Sequence, residues 1–195
     1  MGFSQSWIAV RGKSPDAVLA ELGWRGTGER EEVPESPVVS ARLPTGWLVI
    51  VMNDSMDAAD GAVDPARLSR GADVVTCMVE EHVMVSAFAS WNDGKRLLEV
   101  GHNGQEDPHH LDVTGSLSPE LQQIVDDARR AQAKDDENGG GTDYIFDIPV
   151  DMAYRLTGFR HDLDVGVEFE ILERVASAGR GPGSWWKGLF RRRGG

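Results

Sequence analysis

The chain of 195 residues contains 40% hydrophobic and 27% charged residues, and its 32 acidic and 20 basic residues give a net charge of −12. This length and composition predict a globular protein with a hydrophobic core and exclude an intrinsically disordered chain. The longest apolar run, Trp47–Met52, is far shorter than the roughly 20 residues that a membrane-spanning helix needs.

The first half of the chain predicts strands, a helix, a hairpin and a short second helix. Ser14 and Pro15 are residue types that begin helices, and Gly23 is typical of a helix end. Scattered Gly and Pro after this helix predict a loop. The expected elements of this half are a strand at 7–11, a helix at 14–22, a loop at 23–37, strands at 38–43 and 47–52, a loop at 53–64 and a helix at 65–70.

The second half contains the strongest strand signal, because residues 74–79 and 83–91 are rich in Val and other apolar residues. The polar residues between these runs fit either a turn or a bulge within one long strand. Ser118 and Pro119 repeat the helix-start pattern. The remaining expected elements are strands at 95–100 and 111–113, a helix from 118, a linker at 134–142, a strand at 144–148, a helix at 149–156 and a strand at 169–172.

The order of these elements favours an α+β fold. Strands occur in neighbouring runs rather than in strict alternation with helices, so we expect an antiparallel sheet with two or three helices packed on one face. Composition divides the chain into a single α+β domain at residues 1–175, a Gly-rich linker at 176–184 and a basic aromatic tail at 185–195.

The charges are distributed unevenly along the chain. Residues 180–195 contain five basic residues and no acidic residue, so the tail region has a charge of +5 and the remainder, the body, has −17. So acidic a body repels nucleic acid and anionic lipid, and it attracts a basic protein partner or the chain's own tail. The alternative is that the charge only keeps the protein soluble.

The tail combines aromatic and basic side chains. As a short helix it would present four apolar residues on one face, surrounded and followed by basic residues. This pattern fits peripheral contact with an anionic membrane, docking into a partner's groove, contact with the acidic body, or an inert basic end. The residues concerned are Trp185, Trp186, Lys187, Leu189, Phe190, Arg191, Arg192 and Arg193.

No motif in the chain predicts catalysis or cofactor binding. The tripeptide Gly12–Ser14 resembles the end of a phosphate-binding loop, but the glycine required five residues earlier is replaced by Trp7. Cys77 lies within a strand-like run, where a small buried side chain is the common finding. Asp54, Asp57 and Asp60 lack the ligand spacing of a calcium loop.

Two polar clusters remain as candidates. Glu80, Glu81 and His82 follow a core strand and could act as general acid and base, although an edge or turn role is more typical of such residues. His102, His109 and His110 form a concentration of histidines, which we interpret as solvated loop residues rather than metal ligands.

Three segments resemble a group of small bacterial proteins with no established function. The segments are SWIAVRGKSPDAVLAELG (Ser6–Gly23), VTCMVEEHVMVSAFASWNDGKRLLEV (Val75–Val100) and YIFDIPVDMAYRLTGFRHD (Tyr144–Asp162). The resemblance implies a bacterial cytoplasmic protein with one fold unit, and no functional residue follows from it.

These patterns favour a non-enzymatic protein-binding module that needs no cofactor. The specific expectation is an immunity-type inhibitor whose acidic body binds a basic toxin. One alternative is a domain attached to a membrane or a partner through its tail, and another is an enzyme whose site is assembled from loops, including Glu80, Glu81, His82, His102 and Asp162. The single cysteine and the lack of a secretory signal pattern favour the cytoplasm.

Overall fold

A computed structural model describes residues 2–53 and 63–175. The predicted linker 176–184 and the tail 185–195 therefore lie outside the described residues, as does most of the predicted loop 53–64. The described strands are β1 (Ser4–Arg11), β2 (Trp24–Glu31), β3 (Val38–Arg42), β4 (Leu48–Asn53), β5 (Asp73–Glu80), β6 (Val85–Asn92), β7 (Lys95–Asn103), β8 (Asp112–Gly115) and β9 (Phe169–Arg174). The described helices are α1 (Pro15–Leu22), α2 (Pro65–Leu68), α3 (Pro119–Glu137) and α4 (Asp147–Thr157).

The nine strands form one antiparallel sheet in the order β2-β9-β3-β4-β1-β5-β6-β7-β8. The central strand, β1, places Trp7 opposite Val51 of β4 on one side and Cys77 of β5 on the other. The predicted α+β fold with an antiparallel sheet is confirmed. The polar residues after β5 form a turn rather than a bulge, with Met84 at a φ of 51°.

Helices cover both faces of the sheet, so the prediction that they pack on one face is wrong. Helices α1 and α2 contribute Val18, Leu22 and Leu68 to an apolar cluster with Ile8 and Val10 of β1. Helices α3 and α4 pack on the opposite face, in the cluster that contains Trp7 and Ala9. Since successive residues of β1 are apolar and point to alternate faces, each face of its sheet must be covered to remove them from water.

The ends of α1 follow from local chemistry, as predicted. The Ser14 hydroxyl accepts a hydrogen bond from the amide of Ala17 at 3.3 Å, and Gly23 ends the helix in the left-handed conformation with a φ of 71°. Ser118 caps α3 in the same way, through the amide of Leu121. These contacts need no tertiary partner, so the sequence pattern is sufficient to predict them.

Three predicted elements differ from the structure. Residues 24–31 form the edge strand β2 rather than a loop, because β9 provides its backbone hydrogen-bond partners from about 140 residues further along the chain. Helix α3 continues to Glu137, into the predicted linker. Residues 144–148 are not a strand: the Asp143 carboxylate accepts a hydrogen bond from the amide of Phe146 at 3.0 Å, immediately before α4 begins at Asp147.

None of the helices within residues 2–53 and 63–175 is long and apolar enough to cross a membrane.

Candidate functional site: a cavity beside His161

A cavity of about 640 Å³ lies at one end of the sheet, on the face covered by α3 and α4. Its walls are residues 2–5 at the start of β1, residues 32–35 after β2, Asn53 at the end of β4, parts of the segment 159–165 after α4, and Phe169 at the start of β9. Antiparallel pairing brings these chain ends together, since Gln5 lies opposite Asn53 and Phe169 lies opposite Glu31. The volume falls within the range of small-molecule and peptide side-chain pockets.

His161 is the most unusual residue of this cavity. Its imidazole is only 3% exposed, stacks on Trp7 with ring centroids 5.7 Å apart, and meets the ring of Phe3 edge-on at 5.0 Å. Neither ring nitrogen has a hydrogen-bond partner among the described residues. The nearest acidic oxygens are Glu81 Oε1, 3.6 Å from Nε2, and Asp162 Oδ1, 4.0 Å from Nδ1.

Burial lowers the pKa of His161, and the nearby Arg160 guanidinium lowers it further, although Asp162 and Glu81 act in the opposite direction. The imidazole is therefore neutral near pH 7 and has one N–H donor and one nitrogen acceptor. A buried group with unpaired donors or acceptors costs about 1–3 kcal/mol of folding free energy. The fold thus retains a costly polar group beside a cavity.

A second unpaired polar atom lies in the same wall. Gln5 is buried, and its Nε2 donates a hydrogen bond to Asn53 Oδ1 at 2.5 Å, which leaves its Oε1 without a partner among the described residues. Asn53 in turn donates to the carbonyl oxygens of Pro34 and Ser36 at 2.6 and 2.8 Å. These bonds fix the orientation of both amides and hold the 32–35 wall against β4.

The rim of the cavity is both apolar and acidic. Phe3, Val33 and Leu163 line it and are 45–61% exposed, which is unusual for three neighbouring large apolar side chains. Exposed carboxylates surround them, and none of the described lining residues is Lys or Arg. Three of these carboxylates form no ion pair with the described part of the chain: Glu32, Glu35 and Asp164.

Arg160 holds the segment after α4 in place. Its guanidinium is 16% exposed and forms ion pairs with Asp147 at 2.8 Å, with Asp162 at 2.7 Å and with Asp151. Burial opposes the charge of Arg160, but these carboxylates raise its pKa above the usual range. Burial acts to raise the pKa of Asp162, but the hydrogen bond from Arg160 and its charge together outweigh burial and lower that pKa. The pKa of Asp151 is raised, because burial outweighs the attraction of Arg160. Arg160 therefore positions His161 while its own charge is fully paired.

The cluster Glu80, Glu81 and His82 lies at the β5–β6 turn, next to the His161 side of the cavity. Glu80 accepts hydrogen bonds from Ser4 at 2.5 Å and is paired with His82 at 2.7 Å. Burial acts to raise the pKa of Glu80, but these two hydrogen bonds lower it. Glu81 accepts a hydrogen bond from the Phe3 amide at 2.9 Å and approaches His161. The cluster is thus an internally paired turn that supports the cavity wall.

The other histidines form a separate network. His102 is fully buried, with Nδ1 2.8 Å from the carbonyl oxygen of His110 and Nε2 2.9 Å from Asp143 Oδ2. Asp143 also caps the start of α4, so this network links β7 to the helix. The interpretation of all three residues as solvated is wrong for His102, because it packs under Phe146. The loop-assembled alternative also included His102, whose ring bonds to the carbonyl oxygen of His110 and to Asp143, whereas Glu81 and Asp162 approach His161.

Two further sequence candidates, Lys13 and Cys77, have structural partners, whereas Asp54, Asp57 and Asp60 lie outside the described residues. Lys13 contacts Glu21 at 2.8 Å and the carbonyl oxygen of Leu68 at 2.7 Å. Cys77 lies in the core, as predicted, and burial raises the pKa of its thiol. Within residues 2–53 and 63–175, no three His, Cys, Asp or Glu side chains are grouped so as to hold a metal ion.

Sequence reasoning did not identify His161 or Gln5 as candidate residues. The only signal available was the run of charged residues Arg160–Asp162 directly after a helix. Comparison with known proteins adds no information, because the chain matches no protein-family model, no curated protein and no solved structure. The geometry of the cavity is therefore the basis for a functional conclusion.

Proposed function

We propose that this protein is a non-enzymatic binding module whose cavity beside His161 receives a basic, partly apolar segment of a protein partner. The observation that supports this proposal best is the buried His161 imidazole, which has no hydrogen-bond partner among the described residues and lies in the wall of an open cavity. Buried polar groups without partners are uncommon in native proteins, and a ligand that pairs with the group is one physical explanation for them.

The chemistry of the walls selects the class of ligand. A peptide offers backbone N–H and C=O groups, which can pair with the neutral imidazole of His161 and with Gln5 Oε1 once the side chains that cover these buried atoms move aside. The exposed rings and aliphatic groups of Phe3, Val33 and Leu163 favour an apolar side chain. The unpaired carboxylates at the rim favour a Lys or Arg next to it.

The acidic body suits a basic partner at long range as well. A net charge of −17 outside the tail region accelerates the encounter with a positively charged protein and repels nucleic acid. An immunity-type inhibitor of a basic toxin is the specific form of this proposal, because neutralisation by binding needs shape and charge complementarity but no reaction.

The test is a calorimetric titration of the full chain with a synthetic peptide of sequence Gly-Trp-Lys-Leu-Arg-Gly. The wild type and every variant are compared with Trp185 and Trp186 replaced by Ser, so that the chain's own aromatic tail cannot compete for the cavity. We expect binding that weakens at least fivefold in His161→Phe and about two- to threefold in Glu35→Gln, because a rim charge contributes a few tenths of a kcal/mol. Glu137→Gln, which removes one exposed charge from α3, is the matched control and should bind like the wild type.

Raising the salt concentration from 0.05 to 0.5 M should weaken binding further, because the rim charges are exposed and screened. Equal affinity of the wild type and His161→Phe would show that the cavity is not the binding surface. Equal weakening by Glu35→Gln and Glu137→Gln would show that only the overall charge matters.

A further inference from the structure

We infer that the cavity beside His161 is occupied within the same molecule by the chain's own C-terminal tail, residues 185–193, so that a partner must displace the tail in order to bind. This inference rests on the proposed function, since it names an occupant of the same cavity. It follows from the chemistry of the two surfaces and from the length of chain that connects them.

The tail has the composition that the cavity selects. Within nine residues it contains three aromatic side chains, one leucine and four basic side chains, with no acidic residue. The cavity presents three exposed apolar side chains, unpaired carboxylates and no basic residue among its described lining. Apart, the tail and the cavity would each expose apolar side chains to water, and the two surfaces have opposite charges.

The position of β9 sets the distance that the tail must span. Phe169, at the start of β9, lines the cavity, and Val175 directly follows the strand and still donates a hydrogen bond to the carbonyl oxygen of Gly23 at 2.9 Å. Six residue steps along a strand correspond to about 20 Å. The predicted linker 176–184 therefore begins about 20 Å from the cavity, at the opposite end of β9.

The predicted linker 176–184 has a suitable length for this span. Ten residue steps separate Val175 from Trp185, which gives a maximum reach of about 33 Å. A Gly-rich chain of ten steps has a root-mean-square end-to-end distance of about 17 Å. Because this distance is close to the required span, the effective concentration of the tail at the cavity is near its maximum, on the order of 1 mM.

This effective concentration has a measurable consequence. A tail segment with an intrinsic dissociation constant of about 10–100 μM would occupy the cavity in most molecules, and a competing peptide would bind about 10- to 100-fold more weakly than to an empty cavity. The acidic body would then favour partners that are more basic than the tail, or that offer a better apolar side chain.

The experiment compares four full-length proteins: the wild type, Trp185→Ser/Trp186→Ser, a deletion of residues 178–183, and a variant with residues 178–183 replaced by six Gly and Ser residues. The deletion leaves four steps between Val175 and Trp185, a reach of about 13 Å, so that neither Trp185 nor Trp186 can span 20 Å although the tail is intact. The replacement removes the same residues but preserves the length. Each protein is titrated with a synthetic peptide of residues 184–195, and its backbone amide NMR spectrum is recorded.

We expect the tryptophan variant and the deletion to bind the peptide at least tenfold more tightly than the wild type, with shifted amide signals for residues 2–5 and 163–166. The length-matched replacement should behave like the wild type. Equal peptide affinity in all four proteins, with unchanged cavity signals, would overturn the inference but leave the proposed function standing if His161→Phe still weakens peptide binding at least fivefold. Peptide binding that His161→Phe leaves unchanged in the Trp185→Ser/Trp186→Ser protein, where the tail does not compete, would refute the proposed function itself.

Two further outcomes identify other occupants. If the cavity signals of the wild type change with protein concentration between 10 μM and 1 mM, the tail binds a second copy, and the intramolecular arrangement is wrong. If vesicles containing anionic phospholipid capture the wild type through Trp185 and Trp186 while its cavity signals match those of the deletion, the tail is a membrane contact and the inference fails.

Discussion

Replacing His161 with phenylalanine distinguishes what this residue costs in folding stability from what it contributes to binding. Phenylalanine preserves the stacking on Trp7 and the edge contact with Phe3 but removes both unpaired ring nitrogens. In a residue selected only for packing, the substitution would leave peptide binding unchanged. For a residue retained for binding, we expect the variant to be more stable and to bind more weakly.

The expected gain follows from the burial of the imidazole. Each unpaired buried polar group costs about 1–3 kcal/mol, and Nε2 lies 3.6 Å from Glu81, close enough to recover part of that cost. We therefore expect His161→Phe to raise the free energy of unfolding by about 1–2 kcal/mol. For a domain of this size, that corresponds to an increase in Tm of about 2–8 °C.

The pH dependence of the free energy of unfolding provides an independent test of the same residue. The pKa of His161 is lowered in the folded state from its ordinary value of 6.5, so the unfolded chain binds a proton there more readily than the native protein does. Its contribution to stability is therefore complete above pH 6.5 and is lost as the pH falls from 6.5 through the lower folded pKa. The difference in unfolding free energy between His161→Phe and the wild type should grow between pH 7.5 and pH 5.

Urea and thermal unfolding of both proteins at pH 7.5 and pH 5 measure these quantities. His109→Phe is the matched control, because His109 is largely exposed and its substitution removes no buried unpaired atom. The reasoning is refuted if His161→Phe unfolds more easily than the wild type, or if it is stabilised without any loss of peptide binding.

A substitution of Arg160 tests the wall of the cavity, and thiol labelling of Cys77 tests the core. Arg160→Met leaves three carboxylates, each about two-fifths exposed, without their shared cation. We expect the free energy of unfolding in urea to fall by about 2 kcal/mol and peptide binding to weaken. The control Arg155→Met on α4 should cost less than 1 kcal/mol, because the ion pair it removes is exposed. Equal losses would show that Arg160 does not hold the cavity wall. Cys77, buried with a raised thiol pKa, should react with a thiol reagent only as fast as the protein unfolds, and rapid labelling of the native chain would contradict the core position.

The sequence by itself determined those features that depend on neighbouring residues. Ser14, Pro15 and Gly23 contain the chemistry that starts and ends α1, and the nearly continuous apolar runs of β5 and β6, rich in Val, predict strands. The separation of an acidic body from a basic aromatic tail is also a property of composition alone. These predictions succeed because the hydrogen bonds and periodicities involved are local.

Tertiary structure decided the features that depend on distant partners. Residues 24–31 form a strand only because β9 pairs with them, and the sheet is covered on both sides because β1 is apolar on both. The candidate site belongs to this second group. Whether a histidine is paired, solvated or buried without a partner depends on what packs around it, and for His161 those neighbours are Phe3, Trp7 and Glu81, at least 80 residues earlier in the chain.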